Sequence, residues 1–487
     1  MAKLNDTLRT IDNIFNPRSI AVVGASDKEA SHGHQYLRFL VDSGYRGEIY
    51  PVNPGKREIL GLPVYPSLKE IPGEVDYVIC CISAEHVLNL LKECAHKNVQ
   101  AVHLYTAKFS ETGDERARHL EEEIKGEAER LGVRLLGPNC MGVYHPQKRI
   151  IYNHDLSLEP GSIGGIVQSG GLAGEIVRHC TLRGVRFSKV VSYGNAADLN
   201  EIDFLEYLMQ DEETKAIVMY IEGTRDGRAL FETLRRAAKI KPVIVLKGGR
   251  SRAGGKTVAS HTASMAGSTD TWKVLFRQTG VVQAESLNEL IDLLTAFYYL
   301  PPIYGKRIGA IGGGGGKSVI TSDEFEEAGL DLVPMPADIV QYLESVDPAL
   351  AGWLSNPADF SILHSMNVKS ADMLRRMAAS PGFDLICLNA SEDSLFPGDL
   401  WIELLQEEIE GGIAVKREGL TPLIVVLSNP ELGSREASNW RWQTLFRLRE
   451  RLMEEGIPVF SGPARAAVAI NKLITYYTYQ NRIRRAE

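Results

Sequence analysis

Short runs of β-branched and other apolar residues recur along the whole chain, separated by longer stretches whose apolar residues fall three and four apart. The first pattern suits a buried strand and the second an amphipathic helix. Strands separated by helices make βαβ units, and such units stack into a parallel sheet with helices on both faces. The expected strands are IAVVG (20–24), EIYPV (48–52), YVICCI (77–82), AVHLY (101–105) and VRLLG (133–137), with helices over 84–97 and 112–131. The rhythm repeats in GIVQS (165–169), KVVS (189–192), AIVMYI (216–221) and PVIVLK (242–247). It returns in RIGAIG (307–312), LICLN (385–389), PLIVVLS (422–428) and IPVF (457–460).

At roughly 100–200 residues per domain, 487 residues accommodate about three domains. The pattern breaks at HPQKR and LEPGS within 145–162, and again at Pro301, Pro302 and Gly305 after a helical stretch over 286–299. Three α/β domains are therefore expected, with no Gly/Ser linker between them. The formal charge of −8 and the lack of a long basic block argue against nucleic acid or an anionic membrane as partner. No apolar run is long enough to span a bilayer, and the N-terminal stretch lacks the apolar core of an export signal. Cys80, Cys81, Cys94, Cys140, Cys180 and Cys387 show no CxxC spacing, so neither a disulfide framework nor a structural metal site is expected, and a cytoplasmic setting fits.

Three glycine-rich turns could approach phosphate. The first strand ends in Val23-Gly24-Ala25-Ser26, where amides and a helix N-terminus can face a phosphate. GxGxxG is absent, which weighs against a nicotinamide dinucleotide. Another phosphate-bearing nucleotide and a plain strand-to-helix turn both stay open. Gly312–Gly316 followed by Lys317-Ser318 lacks the first glycine of a P-loop, because Ile311 stands there. Close backbone packing explains it as well as a ligand does. The third turn, GIVQSGGLAGEIV (165–177), runs from strand to helix through Ser169-Gly170-Gly171 and offers amides and a hydroxyl to a phosphate dianion. A nucleophile elbow would need glycine where Val167 stands.

Residues 247–267, KGGRSRAGGKTVASHTASMAG, form a basic, glycine-rich stretch around His261. So little side-chain volume argues against a core histidine and for a mobile loop. A loop histidine with a free nitrogen lone pair is a competent nucleophile, and a solvated bystander is the plain alternative. Glu222 follows the strand 216–221 at the end where parallel sheets place ligands, and could orient the histidine through one ring nitrogen. A helix cap or a solvated group reads the same way.

With IFNPRSIAVVGAS (14–26), YPVNPGK (50–56), GPNCMGV (137–143), VQSGGLAGEIV (167–177), ASHTASMAG (259–267) and SNPADF (355–360) in this order, the chain resembles the α subunit of the NDP-forming acyl-CoA synthetases. This superfamily includes succinyl-CoA synthetase, and the ADP-forming acetate–CoA ligase branch is the nearer one. The resemblance implies a Rossmann-like CoA-binding domain (1–148) and two flavodoxin-like, doubly wound parallel-sheet domains (149–302 and 303–487). It implies CoA near Gly24, Ser26, Lys56 and Ser83, and a phosphate cradle at Ser169, Gly170 and Gly171. His261 falls at the residue that is transiently phosphorylated, and Glu222 at the carboxylate supporting it.

The implied reaction is acyl-CoA + phosphate + ADP ⇌ carboxylic acid + CoA + ATP, through an acyl phosphate and a phosphohistidine. No ATP-grasp segment is legible, so a separate β subunit is expected to bind ATP/ADP with Mg²⁺ in an α2β2 assembly. A non-catalytic CoA-binding protein of the same fold is the rival. The chain departs from the family at Lys108, where a small residue is usual, at Ala263, and at His32 and His34, which read most simply as surface residues.

Overall fold

The computed structural model describes residues 2–262, 268–390, 398–428 and 433–486. The chain divides into two compact units, residues 1–287 and 288–487. The boundary expected at 148/149 falls inside the first unit, and the one expected at 302/303 lies past the division.

The first unit holds two sheets. Strands β1 (Ser19–Val23), β2 (Glu48–Val52), β3 (Tyr77–Cys80), β4 (Ala101–Leu104) and β5 (Arg134–Leu136) form a parallel sheet in the order β2-β1-β3-β4-β5. Their side chains are largely buried on both faces, as near-continuous apolar runs require. Val78, Leu90, Leu91, Val102, Ile124 and Leu135 share one core. Each fully buried side chain of this size contributes about 1.5–3 kcal/mol. The helix over Glu115–Leu131 shows why the flanks hold: Asp114 caps it by accepting from the Arg116 and Ala117 amides, and Gly132 ends it at φ 72°.

The second sheet contains β6 (Gly142–Tyr144), β7 (Ile163–Val167), β8 (Phe187–Ser192), β9 (Ala216–Ile221), β10 (Val243–Lys247) and β11 (Val282–Ala284) in the order β11-β10-β9-β7-β8-β6. All pairs are parallel except β6, which runs antiparallel to β8 with Tyr144 opposite Val190. The expectation of βαβ rhythm did not foresee β6. It is too short to show a period, and it lies in the GPNCMGV segment that crosses from the first sheet to the second.

The N-terminal helix Ala2–Phe15 was also not foreseen. It buries Ile11, Ile14 and Phe15, and the Phe15 ring stacks on Tyr207 at 5.3 Å, against a helix of the second sheet. The stretch 247–267, expected as a mobile loop, contains the helix Arg252–Thr262. Ser251 starts it by accepting from the Gly254 amide, and Val258 is buried over Gly249. Together these offset the helix cost of Gly254 and Gly255, about 1 kcal/mol each.

The second unit has one parallel sheet, β12 (Ile308–Gly312), β13 (Leu385–Asn389), β14 (Leu423–Val426) and β15 (Val459–Phe460), in that order. Asp331 and Ala358 add isolated parallel bridges on the outer edge of β12. The glycine run after β12 serves close packing: Gly312 has φ 110°, and a Cβ there would lie 2.0 Å from the Asn389 carbonyl oxygen. The fold is mixed α/β built on parallel sheets. No helix among the described residues is long and apolar enough to cross a membrane.

Candidate functional site

In an open parallel sheet, ligands gather beyond the carboxyl ends of the strands, where the strand order reverses. The first sheet reverses between β1 and β3. The turn after β1 is fixed by Gly24, whose φ of 90° suits glycine; a Cβ would sit 3.0 Å from the Cys81 carbonyl group. Gly33 brings the next helix so near that a Cβ there would lie 2.0 Å from the Gly24 oxygen. Ser26 Oγ accepts from the Lys28 amide, and Lys56 Nζ donates to Asp27 at 2.6 Å, holding that carboxyl below its usual range. Gly24, Ser26 and Lys56 thus form one turn cluster.

Ser83 follows β3 and lines a cleft of about 850 Å³. Residues Cys81–Glu85, Tyr105–Lys108 and Asn139–Met141 make its walls, together with His32, Leu120, Gly170 and Gly171. The structure therefore gathers Ser83 with Gly170 and Gly171, while Gly24, Ser26 and Lys56 do not line this cleft.

Gly170 opens a helix running to Thr181, capped by Ser169, whose Oγ accepts from the Leu172 amide at 3.4 Å. The N-terminus of this helix carries about half a positive charge. A Cβ on Gly171 would meet nothing within 4 Å, so there is open space beside this turn, whereas one on Gly170 would lie 2.7 Å from Met141 Cγ. Such a cradle is shaped for an anionic oxygen group.

Residues 137–142 lock the two sheets together around the cleft. The amides of Asn195 and Ala197 donate to Pro138 and Gly137, and Met141 N donates to Ser192 Oγ at 3.2 Å. Tyr36 OH donates to the Met141 carbonyl, and His103 Nε2 lies 2.9 Å from the Cys140 oxygen. Burial pushes the His103 imidazole down to about 4, so it is neutral at pH 7.

The second sheet reverses between β7 and β9, and there the chain joins two of the expected residues. Gln168, just before Ser169, accepts the Glu222 amide on its Oε1 at 2.8 Å and the Tyr193 hydroxyl at 3.4 Å. Glu222 Oε1 accepts from Tyr220 OH at 3.1 Å, and Lys247 Nζ donates to the Glu222 carbonyl at 2.8 Å. Lys247 is buried beside Trp272, and that burial lowers its ammonium to about 8. Gln168, Tyr193 and Lys247 were missed in the sequence. A lysine closing the apolar run VIVLK was the one available signal.

His261 lies in the last turn of the helix Arg252–Thr262, and its side chain falls outside the described residues, as does Ala263. The helix packs on the turn Ser110–Thr112, which follows Lys108 in the cleft wall. Of the two unexpected histidines, His32 is exposed, with Nδ1 3.0 Å from Tyr105 OH. His34 corrects the surface reading: it is 4% exposed, with Nδ1 2.9 Å from the Ser26 carbonyl, because the helix turns its first-turn face onto the β1 turn.

Comparison with known proteins gives a consistent assignment. Residues 18–146 match the family profile described as a CoA binding domain, and 160–297 match the succinyl-CoA ligase like flavodoxin domain. The ADP-forming acetate–CoA ligase I subunit alpha of Pyrococcus furiosus is 34% identical over 469 residues, covering 95% of this chain and 97% of that protein. The subunit alpha of ligase II from the same organism is 39% identical over 72% of this chain and 76% of its own. Against ADP-forming acetate–CoA ligase I of Archaeoglobus fulgidus, 38% identical, the chain spans 50% of the relative's length.

Among solved structures, acetyl-coenzyme A synthetase 1 of Ca. Korarchaeum cryptofilum, in complex with phosphate and ADP, superposes with a TM-score of 0.83 at 26% identity. The match covers 98% of both chains. Because the Pyrococcus furiosus α subunit is matched nearly end to end at 34% identity, the chain belongs to the ADP-forming acetate–CoA ligase family, on its α-subunit side.

Proposed function

We propose that this chain is the CoA-binding and phosphoryl-carrying half of an ADP-forming acyl-CoA synthetase. It interconverts acyl-CoA, phosphate and ADP with a carboxylic acid, CoA and ATP. The observation that carries this reading is the meeting of three features at one place. The Ser169-Gly170-Gly171 cradle opens on the cleft that Ser83 lines, and Gln168 ties the cradle strand to Glu222. In this reading the CoA nucleotide approaches the turn cluster of Gly24, Ser26 and Lys56. Gly24 leaves the room that a Cβ would fill, and Lys56 supplies a cation to a phosphate. The thioester end of the substrate reaches the cleft past Ser83.

Phosphate held by Ser169, Gly170 and Gly171 adds to the thioester carbonyl, and the C–S bond breaks to release the CoA thiol. His261 then takes the phosphoryl group from the acyl phosphate, freeing the carboxylate, and Glu222 holds the opposite ring nitrogen. Positioning and charge neutralisation do most of the work, as in phosphoryl transfer generally. The helix Arg252–Thr262 carries His261 between this site and ADP. A β subunit of ATP-grasp type binds that ADP and its Mg²⁺, in an α2β2 assembly within the cytoplasm. In this reading the chain has three functional domains, 1–148, 149–302 and 303–487.

The test is reconstitution with the candidate β subunit, followed by CoA- and acid-dependent ADP formation from ATP. The wild-type pair is expected to be active, with His261→Ala abolishing turnover and Glu222→Gln reducing it at least tenfold. An active His261→Ala pair would refute the carrier role.

A further inference from the structure

Lys108 stands in the cleft under unusual conditions. Its φ is 77°, a left-handed backbone that L side chains rarely adopt. Such strain persists only where the surroundings impose it, and it concentrates at functional sites. Here Glu111 imposes it: its two carboxylate oxygens accept the Lys108 amide at 2.6 Å and the Phe109 amide at 3.1 Å. Asn195 Nδ2 in turn donates to Glu111 at 2.7 Å. The loop is thereby built to hold one residue type out of its preferred conformation.

The side chain so presented is the one lysine or arginine among the described residues lining the cleft. Its ammonium has no hydrogen bond or ion pair among the described residues. Glu85, the carboxylate in the same wall, is occupied by the Ser83 hydroxyl at 3.1 Å and lies 3.9 Å from His86 Nε2. Ile82, Ala84, Ala107 and Leu120 supply apolar surface to the same cleft. The His32–Tyr105 pair adds a hydrogen-bonding edge. An apolar lining with a single free cation suits an aliphatic chain that ends in an anion.

We infer that Lys108 determines acyl specificity: the cleft takes acyl groups bearing a terminal carboxylate, in preference to plain aliphatic acyl groups of equal length. Glu111 acts as the positioning residue. The inference rests on the CoA-binding reading above, and binding to the full-length chain tests the two separately, with no partner subunit needed. Calorimetric titration of CoA, butyryl-CoA and succinyl-CoA compares a thiol, a neutral chain and an anionic chain of the same carbon count. A charge-assisted contact in a partly open cleft changes affinity about tenfold.

Lys108→Met is expected to weaken succinyl-CoA about tenfold while CoA and butyryl-CoA change less than twofold. Lys108→Arg is expected to keep the preference, and Glu111→Gln to reduce it with the net charge of the Lys108 side chain intact. Equal loss for succinyl- and butyryl-CoA, or no loss, overturns the assignment. Loss confined to the affinity for inorganic phosphate, titrated in parallel, also overturns it and marks Lys108 as a phosphate contact. Failure of the wild-type chain to bind CoA at all removes the underlying reading and this inference with it.

Discussion

Gln168→Met tests whether the reversal of the second sheet is held by one side-chain oxygen. Gln168 is 5% exposed, and its Oε1 receives the Glu222 amide at 2.8 Å and the Tyr193 hydroxyl at 3.4 Å. Methionine keeps the shape and removes the acceptor. Depriving a buried donor of its acceptor costs about 1–3 kcal/mol, and the shorter bond carries most of the effect. The two donors share one acceptor, so their losses do not add. The expected destabilisation is about 2 kcal/mol locally, against below about 1 kcal/mol for Tyr193→Phe, which removes only the longer bond.

Native-state hydrogen exchange reads this site without requiring the whole chain to unfold in one step. The Glu222 amide should lose protection about thirtyfold in Gln168→Met, by the equivalence of 1.4 kcal/mol to tenfold. The Gln168 amide, which donates to the Tyr220 carbonyl, should change far less. Unchanged protection at Glu222 in Gln168→Met, or an equal loss in Tyr193→Phe, would refute the reasoning.

Three further outcomes follow from the same geometry. Gly194 has φ 56°, and a Cβ there would lie 2.2 Å from the Pro138 oxygen and 2.6 Å from that of Asn139. Gly194→Ala should therefore cost several kcal/mol, about 2–4, seen as a fall in thermal midpoint, because backbone cannot yield as a side chain can. Gly171→Ala meets open space and should leave that midpoint nearly unchanged. The added methyl should nonetheless weaken phosphate binding in calorimetry, since it occupies the cradle. Buried His103 is neutral when folded, with a pKa of about 4 against 6.5. The unfolded chain then binds the extra proton between those values, so stability is full above pH 6.5 and falls as the pH drops toward 4. The loss totals about 3 kcal/mol. His103→Asn should flatten that part of the urea-midpoint profile.

Much of the α/β architecture was legible because buried parallel strands advertise themselves as unbroken apolar runs. The expected segments at 216–221 and 385–389 coincide with strands. The segment Gly142–Tyr144 was not legible as a strand, since three residues carry no period and their partner Val190 is distant in sequence. The helix Arg252–Thr262 was hidden by its glycines, which lower helix propensity, and by caps that only the fold supplies.

At the site, Ser169-Gly170-Gly171 and Glu222 were readable from strand ends, where position alone points toward ligands. Gln168 between them was not, because an amide beside a strand end has no pattern until its partner arrives from residue 222. His34 misled for a similar reason. A histidine in the first turn of a polar-looking helix is buried here only because Gly24 and Gly33 let that helix approach the β1 turn so closely.

The proposed mechanism turns on His261 as the phosphoryl carrier. Phosphohistidine mass spectrometry at alkaline pH, on the chain incubated with acyl-CoA and phosphate or with acetyl phosphate, tests it most directly. One phosphate on His261 is expected, lost in His261→Ala and strongly reduced in Glu222→Gln. Phosphate on another residue, or none in a preparation that turns over with its partner subunit, would contradict it.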